Sequence, residues 1–122
     1  MLTHVSFISV PVDDPERAIA FYRDVLGLQV VSDAPGPFGR WIMLGIEGGE
    51  TRVHLDQRPE GTPPPPKPVL VLVSTELDAD CAAIAEAGGE IVAEPATAEW
   101  NPDMSRAIVR DSEGNAVLLT TP

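Results

Sequence analysis

The sequence has 122 residues, of which 43% are hydrophobic, and this is enough for one domain with its own core. Its 19 acidic and 8 basic residues give a formal net charge of −11, which disfavours nucleic acid as a partner and suits a cationic ligand or high solubility. The first residues lack a signal-peptide pattern, no apolar run reaches the length of a membrane span, and the one cysteine has no internal disulfide partner, so we expect a cytoplasmic protein.

The first half of the chain predicts a strand, a helix and three further strands. β-Branched and apolar residues favour a strand over Thr3–Val12. Asp14 is a good N-cap, Pro15 suits the first helical position, and Gly27 is placed to end the helix in a left-handed conformation. The later strands are predicted at Leu28–Ser32, Arg40–Ile46 and Thr51–Asp56, with a loop over Ala34–Gly39.

A proline-rich segment divides the sequence. Residues 58–67 include four consecutive prolines, which favour a semi-rigid spacer, and a ligand for a proline-reading domain is the alternative. After it the earlier pattern restarts. A helix is predicted to begin where Thr75 and Asp78 resemble a capping pair. The predicted strands of this half are Val69–Ser74 before the helix, and Glu90–Glu94, Ser105–Arg110 and Ala116–Thr120 after it.

The two halves match each other at a shift of 64 residues. Leu44–Glu47 falls on Ile108–Asp111, Val53–Leu55 falls on Val117–Leu119, and His4 falls on Pro68. An internal repeat of this kind indicates two modules of the same architecture. We therefore predict an α+β fold with two βαβββ modules in one domain, module one being residues 1–57, the linker 58–67 and module two 68–122.

Three stretches resemble the vicinal oxygen chelate superfamily, which includes glyoxalase I, extradiol dioxygenases and bleomycin-resistance proteins. They are THVSFISVPVDDPERAIAFYRDVLGLQVV (Thr3–Val31), the ending RDSEGNAVLL (Arg110–Leu119) and the weaker copy Val69–Val92. The resemblance implies that the two modules form a half-open barrel around a cleft. It also implies a homodimer, as in bleomycin-resistance-type relatives, and a divalent metal in many members.

Most of the metal ligands that the resemblance implies are missing. Carried onto this chain, the four ligand positions are His4 and His54 in module one and Pro68 and Leu118 in module two. Only the histidines can bind a metal, whereas catalytic sites usually have at least three protein ligands. We therefore expect no cofactor, and the alternative is a divalent metal held by the two histidines and a third, unrecognised ligand.

His4 and His54 are also the candidate catalytic residues. The resemblance places them on neighbouring strands, where two close imidazoles would resist double protonation. One ring would then act as a general base or bind an acidic group of a ligand. The alternative is a pair of half-buried histidines that are hydrogen-bonded to the backbone.

The candidate ligand-binding residues are Trp41, Met43, Arg52, Trp100 and Leu118. Alternation along a strand places Trp41 with Met43, and Arg52 with His54, on shared faces. The resemblance places ligands against this sheet, so the indoles would form a flat apolar wall, with core or dimer packing as the alternative.

The same alternation separates Leu118 from its neighbours. Leu118 is expected to line the cleft, while Val117 and Leu119 face the helix. Phe7, Phe21 and Tyr22 are predicted to lie in the core between helix and sheet.

The resemblance and the missing ligands favour a small-molecule-binding protein with a degenerate metal site, which sequesters a flat or cationic ligand. One alternative is a divalent-metal-dependent lyase or dioxygenase of the glyoxalase type. Another is a metal-independent isomerase with a histidine base. The expected partners are a small molecule and a second copy of the chain, with no nucleic acid and no membrane.

Overall fold

The computed structural model describes all 122 residues, in two compact units, Met1–Thr62 and Pro63–Pro122. The boundary between the units falls inside the predicted linker 58–67. Neither helix has the length and apolar character that crossing a membrane requires.

The first unit is a four-stranded mixed sheet with a helix on one face. Its strands are β1 (Phe7–Val12), β2 (Gln29–Gly36), β3 (Gly39–Gly45) and β4 (Arg52–Gln57), in the order β1-β4-β3-β2. β1 is parallel to β4, and the other pairs are antiparallel. Between β1 and β2, helix α1 (Pro15–Ala20) continues into a π-helical turn (Phe21–Val25).

The ends of this helical segment lie where the sequence predicts them. The Asp14 carboxylate accepts hydrogen bonds from the backbone N–H groups of Glu16 at 3.1 Å and Arg17 at 3.3 Å. Gly27, at φ +80°, follows the last helical turn in the left-handed region.

The second unit repeats this architecture. Its elements are β5 (Leu70–Val73), α2 (Leu77–Glu86), β6 (Ile91–Ala98), β7 (Asn101–Arg110) and β8 (Ala116–Thr120), with strand order β5-β8-β7-β6. β5 is parallel to β8, which corresponds to the β1–β4 pair. The predicted α+β fold with two βαβββ modules is confirmed.

Several predicted element boundaries are wrong. β1 begins at Phe7 rather than Thr3. The predicted loop Ala34–Gly39 is mostly strand, because β2 is an edge strand, where proline is tolerated. Residues 96–104, between the predicted strands Glu90–Glu94 and Ser105–Arg110, are likewise mostly strand. At the start of α2 the predicted capping pair is absent: the N-cap is Glu76, which makes no side-chain capping bond, and its own N–H donates to the Ser74 hydroxyl at 3.0 Å.

Asp111 holds the turn between β7 and β8. Its Oδ1 accepts the backbone N–H groups of Glu113 at 2.8 Å and Asn115 at 2.9 Å, and its Oδ2 accepts Asn115 Nδ2 at 3.0 Å. All three residues are buried. This turn sets the start of β8 and therefore the alternation that places Leu118.

Each sheet has one buried face, which forms the core, and one open face. In the first unit the buried face is made by alternate residues of β1, β3 and β4: Val10, Val12, Ile42, Leu44, Val53 and Leu55. In the second unit it is made by alternate residues of β5, β7 and β8: Leu70, Ala107, Val109, Val117 and Leu119. The side chains between these positions project from the open face.

Candidate functional site

The open face of the first sheet collects most of the predicted site residues. In the cross-strand register, His54 on β4 lies between Ser9 on β1 and Met43 on β3. Arg52, two residues before His54, is paired with Phe7. Side chains that are paired across a sheet share one face, so these five residues are neighbours.

Phe7, Trp41 and His54 form an aromatic platform on this open face. The Trp41 and His54 rings are stacked, with centroids 4.1 Å apart and an interplanar angle of 30°. Phe7 meets Trp41 at 5.7 Å and His54 at 5.5 Å, edge to face in both cases. His54 is only 7% exposed, whereas Phe7 and Trp41 are 37% and 39% exposed. The two outer rings therefore cover the histidine and present apolar surface to solvent.

The His54 ring is held at one nitrogen and accessible at the other. Its Nδ1 lies 3.1 Å from the Ser9 hydroxyl, which pairs with either tautomer. Nε2 makes no hydrogen bond. Every fully buried side-chain nitrogen in the structure has a hydrogen-bond partner. Nε2 is therefore not fully buried and keeps at least a small solvent-accessible area.

The structure does not bring His4 and His54 together. His4 precedes β1 and is exposed, with its Nδ1 3.0 Å from Thr3 Oγ1 and 3.6 Å from a Glu50 carboxylate oxygen. Ser9, the residue beside His54, lies five positions further along, which is roughly 16 Å in extended chain. The residues of β1 that do flank His54 are Phe7 and Ser9.

In the second unit, the position that corresponds to His54 is apolar. Leu118 is partly exposed and lies between Val71 and Ile108, while Val117 and Leu119 are buried. In the first sheet the three neighbouring groups are the Ser9 hydroxyl, the His54 imidazole and the Met43 thioether. Three aliphatic side chains take the corresponding positions in the second sheet.

The predicted equivalence of His4 with Pro68 is wrong by two residues. Ile8 pairs with Val53, and Leu70 pairs with Val117, the counterpart of Val53 in the second unit. Counting back along β1 and β5, Pro68 corresponds to Ser6.

The donor groups of this chain do not fit the metal site that the resemblance implies. No group of three or more His, Cys, Asp or Glu side chains is arranged to hold a metal ion. Leu118 and Pro68 have no ligating atom, and the two histidines lie apart.

Two further side chains bear on the chemistry of the site. Trp100 is in the two-residue turn between β6 and β7 and is 54% exposed. Cys81 is buried on α2, and burial raises the pKa of its thiol, which disfavours the reactive thiolate.

A surface depression of about 470 Å³ lies at the β2–β3 hairpin of the first unit. Ala34, which lines it, is the cross-strand partner of Trp41. Arg40, at its rim, is bound by Asp33 at 2.7 Å and by Glu16, so this cation is already neutralised. None of the three platform residues lines this depression.

Sequence reasoning missed Phe7 and Ser9. Phe7 was predicted in the core with Phe21 and Tyr22, but only the latter two are buried. The available signal was parity: Phe7 and Ser9 alternate with the buried Val10 and Val12, so they project from the opposite face.

Comparison with known proteins agrees with the fold. The family model "Glyoxalase/Bleomycin resistance protein/Dioxygenase superfamily" matches residues 2–119. The structure of TnmS3, described as an antibiotic binding protein from Streptomyces sp. CB03234, is 33% identical, with 99% of this chain and 97% of that chain covered and a TM-score of 0.85.

Two other relatives cover the chain almost fully. A glyoxalase/bleomycin resistance protein from Streptomyces sp. CB03234 is 32% identical, with coverage of 95% and 98% and a TM-score of 0.77. The Bacillus subtilis (strain 168) protein YetH, described as uncharacterized, is 25% identical over 122 residues, 98% of each chain.

Proposed function

Because the chain belongs to the Glyoxalase/Bleomycin resistance protein/Dioxygenase superfamily, we propose that it binds a flat small molecule on the open face of its first sheet, without a metal ion. The aromatic platform of Phe7, Trp41 and His54 is the observation that carries this proposal. The half-exposed Trp41 indole offers a flat apolar surface on which a planar ligand stacks, and the Phe7 ring, at 88° to the indole, forms an apolar edge beside it.

Stacking on this surface requires no rearrangement of the protein. Trp41 is already supported from behind by His54, which is itself fixed by Ser9. A pre-ordered ring loses little conformational entropy when a ligand binds, and this favours affinity.

The comparison with TnmS3 supports the same class of function. That protein is described as antibiotic binding, and it is 33% identical over nearly the whole chain. We therefore propose sequestration of a planar natural product or drug rather than turnover.

Titration with 1-pyrenemethanol, a flat and uncharged probe, tests the proposal. We expect binding by calorimetry and quenching of Trp41 fluorescence in the variant Trp100→Phe. Trp41→Ala should weaken binding about tenfold to thirtyfold, since buried aromatic contacts dominate affinity.

Phe38→Ala is the matched control for that experiment. Phe38 is an exposed aromatic residue in the same unit and makes no ring contact, so its removal should leave affinity unchanged. Equal affinity of the wild type and Trp41→Ala would contradict the proposal. Trp100→Ala in the same titration tests the predicted contact of that second indole.

Binding without a metal has its own test. We expect purified protein to contain less than stoichiometric divalent metal by elemental analysis, and chelator treatment to leave probe binding unchanged. A stoichiometric ion that survives purification would contradict this part of the proposal.

We also propose a homodimer. Val71 and Val73 on the edge strand β5 are 57% and 65% exposed, and a second copy would cover this apolar surface. Light scattering after size exclusion should give twice the chain mass of 13.0 kDa. Val73→Lys should shift the mass toward that of one chain, and a wild-type mass of one chain would exclude the dimer.

A further inference from the structure

Arg52 is an unpaired cation in a strongly acidic chain. Arg23, Arg40, Arg58, Arg106 and Arg110 each form an ion pair with a carboxylate. Arg52 forms none, although the chain has 19 acidic residues. Its side chain makes one hydrogen bond, from Nη1 to the Gly49 carbonyl oxygen at 3.1 Å. Most of its five N–H donors are therefore available.

Gly45 leaves room for this guanidinium on the open face of the first sheet. A Cβ atom built on Gly45 would be 2.6 Å from Arg52 Nη1, 3.2 Å from Arg52 Cδ and 3.0 Å from a methyl group of Val31. The contact with Nη1 is closer than real Cβ atoms allow, so a side chain at this position would shift the end of the flexible arginine. The Arg52 side chain thus extends across β3 over Gly45, where the absence of a side chain leaves room for it.

Arg52 shares the open face with the aromatic platform, and its guanidinium extends away from Phe7, over Gly45 and toward Val31. Phe7, on β1, is the cross-strand partner of Arg52. On β4 itself, His54 follows Arg52 by two positions, roughly 7 Å along the strand. A flat molecule stacked on Trp41 would reach this cation with a substituent that extends along β3 past Met43, which lies on the same face between Trp41 and Gly45.

We propose that Arg52 selects flat ligands that carry an acidic substituent, such as a carboxylate or sulfonate. This inference rests on the proposed function, and it differs from the cationic ligand that the net charge suggests. At physiological salt, charges beyond roughly 8 Å are screened, so the local guanidinium decides recognition rather than the total charge. A guanidinium binds a carboxylate or sulfonate through charge-assisted hydrogen bonds.

Three pyrene probes separate charge from stacking: 1-pyrenesulfonate, 1-pyrenemethanol and 1-pyrenemethylammonium. At about 150 mM salt we expect the sulfonate to bind about tenfold more tightly than the alcohol, and the ammonium to bind most weakly. Arg52→Gln should abolish the preference for sulfonate while the affinity for the alcohol stays unchanged.

Two further variants sharpen the test. Lys67→Gln removes the same unit of charge from an exposed position in the second unit, so the sulfonate preference should persist. Gly45→Ala should reduce the preference by less than Arg52→Gln does, because the new Cβ shifts only the end of the flexible arginine side chain.

The outcomes separate the two proposals. Failure of every probe to bind would overturn the proposed function and this inference with it. Equal binding of all three probes would leave the proposed function standing and overturn the inference. An equal loss for all probes in Arg52→Gln would show that Arg52 only supports the loop at Gly49, and would likewise overturn it.

Discussion

At the scale of single residues, the partners of a charge decide what it does. Arg58 is buried and donates two hydrogen bonds to Asp13, at 2.7 and 2.8 Å, so it anchors the start of the predicted linker to the first unit. Arg52 has no such partner and remains available for a ligand. The same residue type thus has a structural role at one position and a proposed recognition role at another.

The Asp13–Arg58 pair predicts a specific dependence of stability on pH. The hydrogen bond from Arg58 lowers the pKa of Asp13 below its ordinary value of 3.8. A carboxyl group whose pKa is lowered by folding stabilises the fold above pH 3.8, and this contribution is lost as the pH falls further. We expect Asp13→Asn to be less stable than the wild type at pH 7, with the difference shrinking below pH 3.8 in denaturant titrations.

Asp56→Asn is the control for that prediction. Asp56 is an exposed strand residue that forms no ion pair, so its variant should follow the wild type at every pH. A stability deficit of Asp13→Asn that stays constant from pH 7 to pH 3 would refute the linkage.

At the scale of elements, short local signals set where helices and hairpins end. Gly27 ends the helical segment at φ +80°, and nothing lies within 4 Å of a Cβ built there. Asp111 closes the β7–β8 turn with three buried hydrogen bonds. Backbone conformation matters at the first position, and hydrogen bonding at the second.

Gly27→Ala should destabilise the protein by about 1 kcal/mol, because in the left-handed region the Cβ of an L-residue lies too close to the following carbonyl oxygen. Gly27→Asn should cost less, since asparagine tolerates that region better. Urea denaturation of the two variants measures the difference. Equal costs would indicate that some factor other than backbone conformation acts at this position.

Asp111→Ala should cost about 2–3 kcal/mol, because the Asn115 amide and two backbone N–H groups would lose their acceptor in a buried turn. Asp103→Ala, at an exposed position on the same hairpin, should be nearly neutral. Urea midpoints of the two variants provide the measurement. A loss of less than 0.5 kcal/mol for Asp111→Ala would mean that water replaces the lost acceptor.

At the scale of the whole molecule, net charge opposes association of exposed apolar residues. The charge of −11 at pH 7 vanishes near the isoelectric point of about 4.3. Phe38 and Ile46 are among the large apolar residues that remain exposed outside the proposed dimer surface. Mutual repulsion is what keeps such surfaces apart when the protein is charged.

We therefore expect the lowest solubility near pH 4.3, measured by turbidity between pH 3 and pH 8. Added salt at pH 7 should raise the tendency to associate, because it screens the same repulsion. Turbidity that does not change with pH would show that apolar contact is not limiting.

The amino-acid sequence by itself determined the repeated βαβββ order and the helix ends at Asp14 and Gly27. These features depend on residues that are near one another in the chain, so propensity and spacing predict them. The relation between His54 and Leu118 could also be found this way, since the two halves keep a constant shift along β4 and β8.

Only the tertiary structure decided which side chains surround His54. Ser9 and His54 are 45 positions apart, and a slip of one residue in β1 would have turned Ser9 and Phe7 to the other face. The register between β1 and β4 results from packing across the whole sheet, so it cannot be predicted from any short stretch of the sequence. For that reason the sequence predicted a histidine pair, whereas folding produced an aromatic platform on one strand face and an unpaired arginine beside it.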